Sequence, residues 1–248
     1  MRAIERNKMN HKEEQAKCLA AVKAIDAILT RNNIWFSLSY GSALGAYREG
    51  GFIEWDRDFD LLIKLPDQKK VNELLMQNLP RDYRIVSYDT DTISGFDEVK
   101  IIGISAYDMH IDLYPVIGAP DDVDVAFSFM QFCRRIHRVL SCKHLEFSRL
   151  TSKAKIPFVV MIRLVEYLIP DRILRDMFEK IKRRYPFEKA KLFFPIGNDG
   201  NKAEIMEGDL LFKTKRIAFE DVFLPVPEQI RDYLERIYGS DYMTPKRY

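Results

Sequence analysis

Three acids alternate with other residues at the start of an apolar run. Asp56, Asp58 and Asp60 occupy alternate positions, and the apolar residues 61–63 follow directly. In a β-strand, alternate side chains share one face, and two residues advance the chain by about 6.6 Å. Two carboxylates at this spacing can converge on one hard cation such as Mg²⁺, whose oxygen ligands lie at about 2.1 Å. The segment therefore predicts a strand that carries a metal site at the edge of a sheet.

A solvent-exposed acidic loop is the alternative interpretation of the same residues. Neighbouring carboxylates without a cation raise each other's pKa, so such a cluster is costly. An exposed loop would also have little need for the apolar side chains of Phe59 and residues 61–63 around the acids. We therefore favour the metal site over the loop.

A single acid lies inside a second apolar segment. Residues 109–116 have the sequence Met-His-Ile-Asp-Leu-Tyr-Pro-Val, in which Asp112 is the acid. A buried carboxylate without a partner is expensive, so Asp112 requires a cation, a hydrogen-bond donor or a basic neighbour. His110 shares its strand face and is one candidate for that neighbour. A metal shared with Asp58 and Asp60 is the other interpretation, and the residues alone leave both open.

A glycine–serine pair follows a predicted strand at 34–40 and precedes a predicted short helix at 43–48. Backbone N–H groups at a helix start attract phosphate, and glycine lets the backbone approach closely. An ordinary turn with Ser42 as the N-cap is the alternative. Beside an acidic strand, Gly41 and Ser42 predict an element that holds phosphate next to the metal that bridges it.

Hydrophobic periodicity and turn residues predict the order of the elements. The sequence predicts helices at 11–32, 67–79 and 227–238, further strands at 58–65, 83–88, 98–105 and 110–117, and a helical part at 123–185 interrupted at Pro157 and Pro170. We expect one structural unit, 1–248, of the α+β class. Its mixed β-sheet core covers about 33–118, and a helical and C-terminal elaboration covers about 119–248.

Composition limits the classes of partner. The 248 residues carry a net charge of +2, so there is no strong field to attract nucleic acid, and we expect no such partner. Three cysteines are too few for a disulfide framework, and the polar N-terminus contains no visible signal peptide. The longest apolar stretch, 156–170, is shorter than the roughly 20 residues of a spanning helix. We expect a cytoplasmic protein that contacts a membrane at most peripherally, at its inner face.

Three segments, taken together, resemble the LicD/fukutin family, a branch of the nucleotidyltransferase superfamily. They are Tyr-Gly-Ser-Ala-Leu-Gly-Ala-Tyr-Arg at 40–48 leading to Trp-Asp-Arg-Asp-Phe-Asp at 55–60, then His-Ile-Asp-Leu-Tyr-Pro at 110–115, and finally Phe-Glu-Asp-Val-Phe-Leu-Pro-Val-Pro at 219–227 with Tyr-Gly-Ser-Asp-Tyr-Met-Thr-Pro at 238–245. The segments occur in the family's order. Glu54 replaces a usual proline and Arg57 replaces a common acid or aromatic residue, and neither departure removes a candidate ligand.

The resemblance implies a nucleotidyltransferase-like sheet core and a metal-dependent transferase. It implies that Asp58, Asp60 and Asp112 are the catalytic residues and the ligands of Mg²⁺ or Mn²⁺, with Asp56 as an additional candidate ligand. Asp112 either completes the coordination or takes the proton from the acceptor hydroxyl.

The donor implied by the resemblance is CDP-linked, commonly CDP-choline. The implied acceptor is a glycan or lipid-linked saccharide hydroxyl, as in lipopolysaccharide, capsule or teichoic-acid precursors. Gly41, Ser42, Arg48 and Lys100 are the candidates for binding the donor's phosphates. Arg48 matches the family's Leu-Gly-Ala-x-x-Arg stretch, and Lys100 belongs to a strand expected beside Asp112.

Two other functions stay open. A nucleotidyltransferase would use the same acids to move a nucleoside monophosphate to a small molecule or a protein. A catalytically silent homologue would act as a binding module, although retention of the acids and of the Gly41–Ser42 pair argues against it.

Overall fold

A computed structural model describes residues 2–81, 83–86, 99–103, 109–142, 156–197 and 200–245. The helices are α1 (Arg2–Arg31), α2 (Tyr40–Arg48), α3 (Gln68–Asn78), α4 (Val123–Cys142), α5 (Ile156–Leu168), α6 (Asp171–Lys182), α7 (Gly208–Phe212) and α8 (Ile230–Tyr238). The strands are β1 (Phe36–Leu38), β2 (Asp58–Lys64), β3 (Tyr83–Val86), β4 (Val99–Gly103), β5 (His110–Ala119), β6 (Leu192–Pro195), β7 (Met206–Glu207), β8 (Thr214–Phe219) and β9 (Val222–Pro227).

The main sheet is mixed, with the strand order β1-β2-β5-β4-β3. Strands β2 and β5 are parallel neighbours, and β1, β3 and β4 join the sheet by antiparallel pairing. Strand β6 pairs with the second half of β5, β7 pairs with β6, and β8 and β9 form a separate hairpin. The predicted α+β class with a mixed sheet flanked by helices is confirmed.

The two central strands are buried because both of their faces are covered. Phe59, Leu61, Leu62 and Ile63 of β2 are almost completely excluded from solvent. A run of β-branched and large apolar residues suits such a position, where alternation with exposed polar residues is not required. In this setting Asp60 and the acid of β5, Asp112, are buried carboxylates within an apolar core.

Two hydrophobic clusters divide the core. The larger one joins α1, α2, α3, the main sheet, the β8–β9 hairpin and α8. The smaller one lies between β5, β6, α4 and α6, where Phe129 packs edge-on against Phe194. One cysteine of α4, Cys133, is buried in this second cluster. The expected organisation as one unit stays a prediction.

Several element boundaries differ from the predicted ones. Helix α1 begins well before residue 11, and α2 begins at Tyr40 instead of 43, so that Gly41 and Ser42 lie in the first helical turn. Helix α8 begins at Ile230 because residues 222–227, with two prolines, form strand β9. The predicted strands at 83–88 and 98–105 are confirmed for 83–86 and 99–103, and their remaining residues lie outside the described ones.

Prolines mark the starts of two helices in the segment that the sequence predicted to be helical. Helix α5 carries Pro157 at its start, and α6 begins directly after Pro170, as the predicted interruptions require. Within the described part of the chain, no helix combines the length and the apolar character needed to cross a membrane.

Candidate functional site

The parallel pairing of β2 with β5 brings the two acidic segments together. In its register, Asp58 lies opposite His110 and Asp60 lies opposite Asp112. One ligand atom from each of Asp58, His110 and Asp112 lies within 4.8 Å of the other two. Ligands that share a cation at about 2.1 Å are at most about 4.2 Å apart, so a movement of under about 1 Å would close this set. The donor set therefore fits a single divalent cation.

Asp112 has the neighbours that a buried carboxylate requires. It is 2% exposed. Its Oδ2 atom lies 3.4 Å from Nε2 of His110 and accepts a hydrogen bond of 3.2 Å from the Tyr114 hydroxyl. The geometry fits both interpretations that the sequence left open, because His110 is both the neighbour of Asp112 and a member of the candidate metal set. Its geometric position adds His110 to the acids proposed from sequence.

Asp60 is fixed through its backbone. Its N–H donates a 2.8 Å hydrogen bond to the Ser42 hydroxyl, and its carbonyl accepts one of 3.1 Å from the N–H of Ser39. These bonds tie the start of α2 to β2. Ser42 is buried, and its hydroxyl accepts this hydrogen bond from the acidic strand β2. A role of Ser42 in phosphate binding stays a prediction.

Asp56 lies against the glycine at the start of α2. A Cβ atom added at Gly41 would lie 2.5 Å from Oδ2 of Asp56, so a side chain at this position would force the Asp56 carboxylate to move. Burial raises the pKa of Asp56 to about 7, and hydrogen bonding and charge repulsion from Asp58 contribute to the increase. At neutral pH the Asp56 carboxyl is therefore protonated in about half of the molecules, and a cation bound nearby would favour loss of this proton.

The other candidates for phosphate binding, Arg48 and Lys100, lie on two different elements, α2 and β4. The Arg48 guanidinium lines the cavity described below, pairs with Glu49 at 2.7 Å and donates to the Tyr242 carbonyl at 3.1 Å. The antiparallel register of β4 sets Lys100 opposite Asp112, as the sequence predicted for its strand.

A cavity of about 690 Å³ opens beside the acids. Its size lies within the range of about 300–1,000 Å³ typical of small-molecule sites. Among the described residues it is lined by Tyr40, Gly41, Leu44, Arg48, Ile53, Trp55, Asp56, Arg57, Asp58, Asp60, Tyr114, Asn201, Ala203, Glu204, Ile237, Tyr238, Asp241, Tyr242 and Thr244. Burial raises the pKa of Tyr238, and Tyr233 and the nearby aspartates raise it further, so its hydroxyl stays protonated.

Residues 201–204 were missed by the sequence analysis as part of the site. Their local signal is a capping box, in which the Asn201 side chain accepts a hydrogen bond from the N–H of Ala203 and the Glu204 side chain accepts one from the N–H of Asn201. Such a box marks the start of a helical turn but says nothing about which part of the fold that turn contacts.

A family model matches the region that contains the acids. Residues 33–154 match the family model described as LicD/FKTN/FKRP, nucleotidyltransferase domain. The chain is 26% identical over 147 residues to the lipopolysaccharide cholinephosphotransferase LicD of Haemophilus influenzae. That alignment covers 55% of this chain and 56% of the relative, so the chain spans little more than half the length of that protein.

A solved structure also matches. The crystal structure of ANT(2″)-Ia in complex with adenylyl-2″-tobramycin has 12% sequence identity and a TM-score of 0.32, over 66% of this chain and 98% of that chain. At this TM-score the likeness supports no argument about the site.

The raised pKa of Asp56 predicts a pH-dependent stability. The pKa of Asp56 is about 7 in the folded chain against an ordinary value of 3.8, so the folded state retains a proton that the unfolded state loses between these pH values. Stability from this group therefore falls as pH rises through this window. We expect Asp56→Asn to melt at a higher temperature than the wild type at pH 8 in EDTA, with a smaller difference at pH 5. A difference independent of pH would contradict the assignment.

The close contact at Gly41 predicts that an added methyl group displaces Asp56. We expect Gly41→Ala to weaken divalent-cation binding by roughly 10- to 100-fold, the usual range for disturbing the support of a metal site. Isothermal titration with Mn²⁺ measures this. The control is the same substitution in an Asp56→Ala background, where the clash is removed and the further loss should be small. An equal loss in both backgrounds would show that Gly41 acts elsewhere.

Proposed function

We propose that this chain, which belongs to the LicD/FKTN/FKRP family through residues 33–154, is a metal-dependent transferase that moves a phospho-substituent from a CDP-linked donor to a glycan hydroxyl. The observation that carries the proposal is the convergence of Asp58, His110 and Asp112 beside a cavity of nucleotide-binding size. The name of the Haemophilus influenzae relative, a lipopolysaccharide cholinephosphotransferase, favours phosphocholine as the group transferred.

In the proposed reaction, the acceptor hydroxyl oxygen forms a bond to the phosphorus that carries the choline. The bond from that phosphorus to the CMP oxygen breaks, and CMP leaves with the electron pair. Such transfers depend on in-line positioning and on neutralising oxygen charge. The hydroxyl proton passes to a carboxylate, for which Asp112 is the sequence-based candidate and Asp60 is the buried acid that faces the cavity.

Residues of the chain would position both reactants. Arg48 would hold the donor's phosphates, together with the backbone N–H groups at Gly41 in the first turn of α2. The Tyr238 hydroxyl would donate a hydrogen bond into the same space. Asp58, His110 and Asp112 would hold the cation, which when bound supplies charge neutralisation at the phosphate oxygens.

The composition of the donor set bears on which cation binds. Mg²⁺ prefers oxygen ligands, whereas Mn²⁺ combines carboxylates with imidazole more readily. Because His110 lies in the set with Asp58 and Asp112, we propose that Mn²⁺ binds more tightly than Mg²⁺.

The main test follows the products made from labelled CDP-choline with a glycan acceptor and Mn²⁺. We expect release of CMP and transfer of the choline label to the acceptor. Nucleotidyl transfer, the rival reaction, would instead consume a nucleoside triphosphate and release pyrophosphate. Binding of CDP-choline without turnover under any metal condition would support the silent binding module.

Substitution of the acids tests their role in this reaction. We expect Asp58→Asn and Asp60→Asn to lower turnover by roughly a thousandfold or more, because each removes charge from the metal site. Their metal-free melting temperatures should not fall, since the substitutions relieve repulsion between carboxylates. Asp209→Asn, at an exposed acid that pairs with Lys213, is the matched control and should retain activity. Near-normal turnover in both site variants would remove these acids from the mechanism.

We also propose that helix α5 contacts an anionic bilayer, where a lipid-linked acceptor would reside. Met161, Leu164 and Tyr167 form an exposed apolar stripe at helical spacing, with Leu164 and Tyr167 exposed by 64% and 84%. Basic residues at the end of the following helix, including Lys180 and Arg183, complement anionic lipids.

Sedimentation with phosphatidylglycerol vesicles tests this contact. We expect the double variant Leu164→Glu and Tyr167→Glu to lose most of the vesicle-bound fraction, because the two new charges cannot enter the apolar interface. Met76→Glu, at an exposed apolar residue of α3, should bind like the wild type. Unchanged binding of the double variant would exclude α5 as the contact.

A further inference from the structure

The β8–β9 hairpin turns through two residues, Glu220 and Asp221. Phe219 pairs with Val222, so Glu220 is the first residue of a two-residue turn, and its φ angle is 51°. Glycine and asparagine are favoured where such a turn needs a positive φ, because most side chains raise the free energy of that conformation. The backbone at Glu220 is therefore strained, and its side chain makes a contact that glycine could not make.

The carboxylate of Glu220 holds the loop that leads to the acids. Its Oε1 atom accepts a 3.1 Å hydrogen bond from the N–H of Phe52. The backbone N–H of Glu220 donates a second bond, of 2.7 Å, to the Gly50 carbonyl. A carboxylate is a stronger acceptor for a backbone N–H than a neutral oxygen is. One turn residue thus fixes the loop at two positions, 50 and 52.

Packing around Phe52 joins the loop to the hairpin and to β2. The ring of Phe52 lies edge-on to Phe219, with centroids 4.8 Å apart, and edge-on to Phe59 of β2 at 5.8 Å. A Cβ atom added at Gly51 would overlap Oε1 of Glu220, so the loop and the turn are in close contact. The loop, the hairpin and the acidic strand therefore meet at Phe52.

A short connection leads from Phe52 to the acids. The carbonyl of the next residue, Ile53, accepts a 3.1 Å hydrogen bond from the N–H of Asp56. The Asp56 carboxylate lies against Gly41, and Asp58 of the candidate metal set follows two residues later. A shift of Phe52 is therefore transmitted to the Asp56 carboxylate and to the start of β2.

We propose that Glu220 is a positioning residue for the acidic segment and holds it in place for cation binding. Residues 219–227 carry part of the family resemblance, and the proposed reaction assigns them no task. Glu220 does not line the cavity, so it acts through Phe52 and not by contact with the reacting atoms. It also lies outside residues 33–154, which match the family model. This role rests on the proposed function, since it assumes a cation at the candidate metal set.

The variant Glu220→Gly separates this role from a merely structural one. Glycine relieves the backbone strain of the turn while it removes the carboxylate, so the metal-free melting temperature should change little. We expect hydrogen exchange at the Phe52 amide, followed by NMR without metal, to become about tenfold faster. Isothermal titration should show that Mn²⁺ binds roughly three- to tenfold more weakly, the equivalent of one hydrogen bond.

Two further variants complete the comparison. Glu220→Gln keeps an oxygen that can accept from the Phe52 N–H, so slow exchange and Mn²⁺ affinity should be largely retained. Asp221→Gly is the matched control, because it places glycine at the other turn residue, whose carboxylate pairs with Lys23 of α1 at 2.6 Å. This control should bind Mn²⁺ like the wild type.

The outcomes separate the positioning role from the reaction. Unchanged Mn²⁺ affinity in Glu220→Gly, whether or not exchange at Phe52 becomes faster, would overturn the positioning role. Equal losses of affinity in Glu220→Gly and Asp221→Gly would also overturn it, because the effect would then belong to the hairpin as a whole. In both cases the wild type still binds the cation, and the proposed function stands. A wild type that binds no Mn²⁺ would overturn the proposed function itself.

Discussion

The parallel pairing of β2 with β5 is the constraint on which the rest of the site depends. It sets Asp58 opposite His110 and Asp60 opposite Asp112, although the residues of each pair lie 52 positions apart in the sequence. The apolar residues on both strands stabilise this pairing by burial, which is the dominant favourable contribution to folding. Burial also raises the free energy of the ionised carboxylates. The interaction that builds the sheet therefore favours a bound cation or a retained proton at these acids.

Neighbouring elements hold these acids in position through contacts at specific atoms. The Ser42 hydroxyl binds the backbone of Asp60, and Gly41 leaves the space that Asp56 occupies. The start of α2 thus supports the acidic strand while it also faces the cavity. Helix α8 completes this arrangement, because the Tyr233 hydroxyl accepts a hydrogen bond from the N–H of Tyr40 at 3.3 Å. These contacts place the candidate metal set beside a cavity that Arg48 and aromatic side chains such as Trp55 also line.

The sequence predicted the parts of this site that depend on local pattern. Alternating acids beside an apolar run indicated β2, and the lone acid at Asp112 indicated β5. The metal set could not be chosen, because strand periodicity places His110 and Asp112 on one face without telling which atoms approach Asp58. The sequence predicted that the Gly41–Ser42 pair forms a turn before the helix, whereas α2 already begins at Tyr40. The first turn of α2 makes hydrogen bonds to β2 and α8, which are distant in the sequence and which local pattern does not indicate. Glu204 was missed because its position in the cavity comes from tertiary packing of a distant turn.

The central claim is that β2 and β5 together hold one divalent cation. Diffraction from crystals soaked in Mn²⁺, recorded near the manganese absorption edge, tests it most directly. The account predicts a single strong anomalous peak in the cavity wall, about 2.0–2.3 Å from ligand atoms of Asp58, His110 and Asp112. A peak at another set of residues, or saturating Mn²⁺ without a peak between these strands, would contradict it.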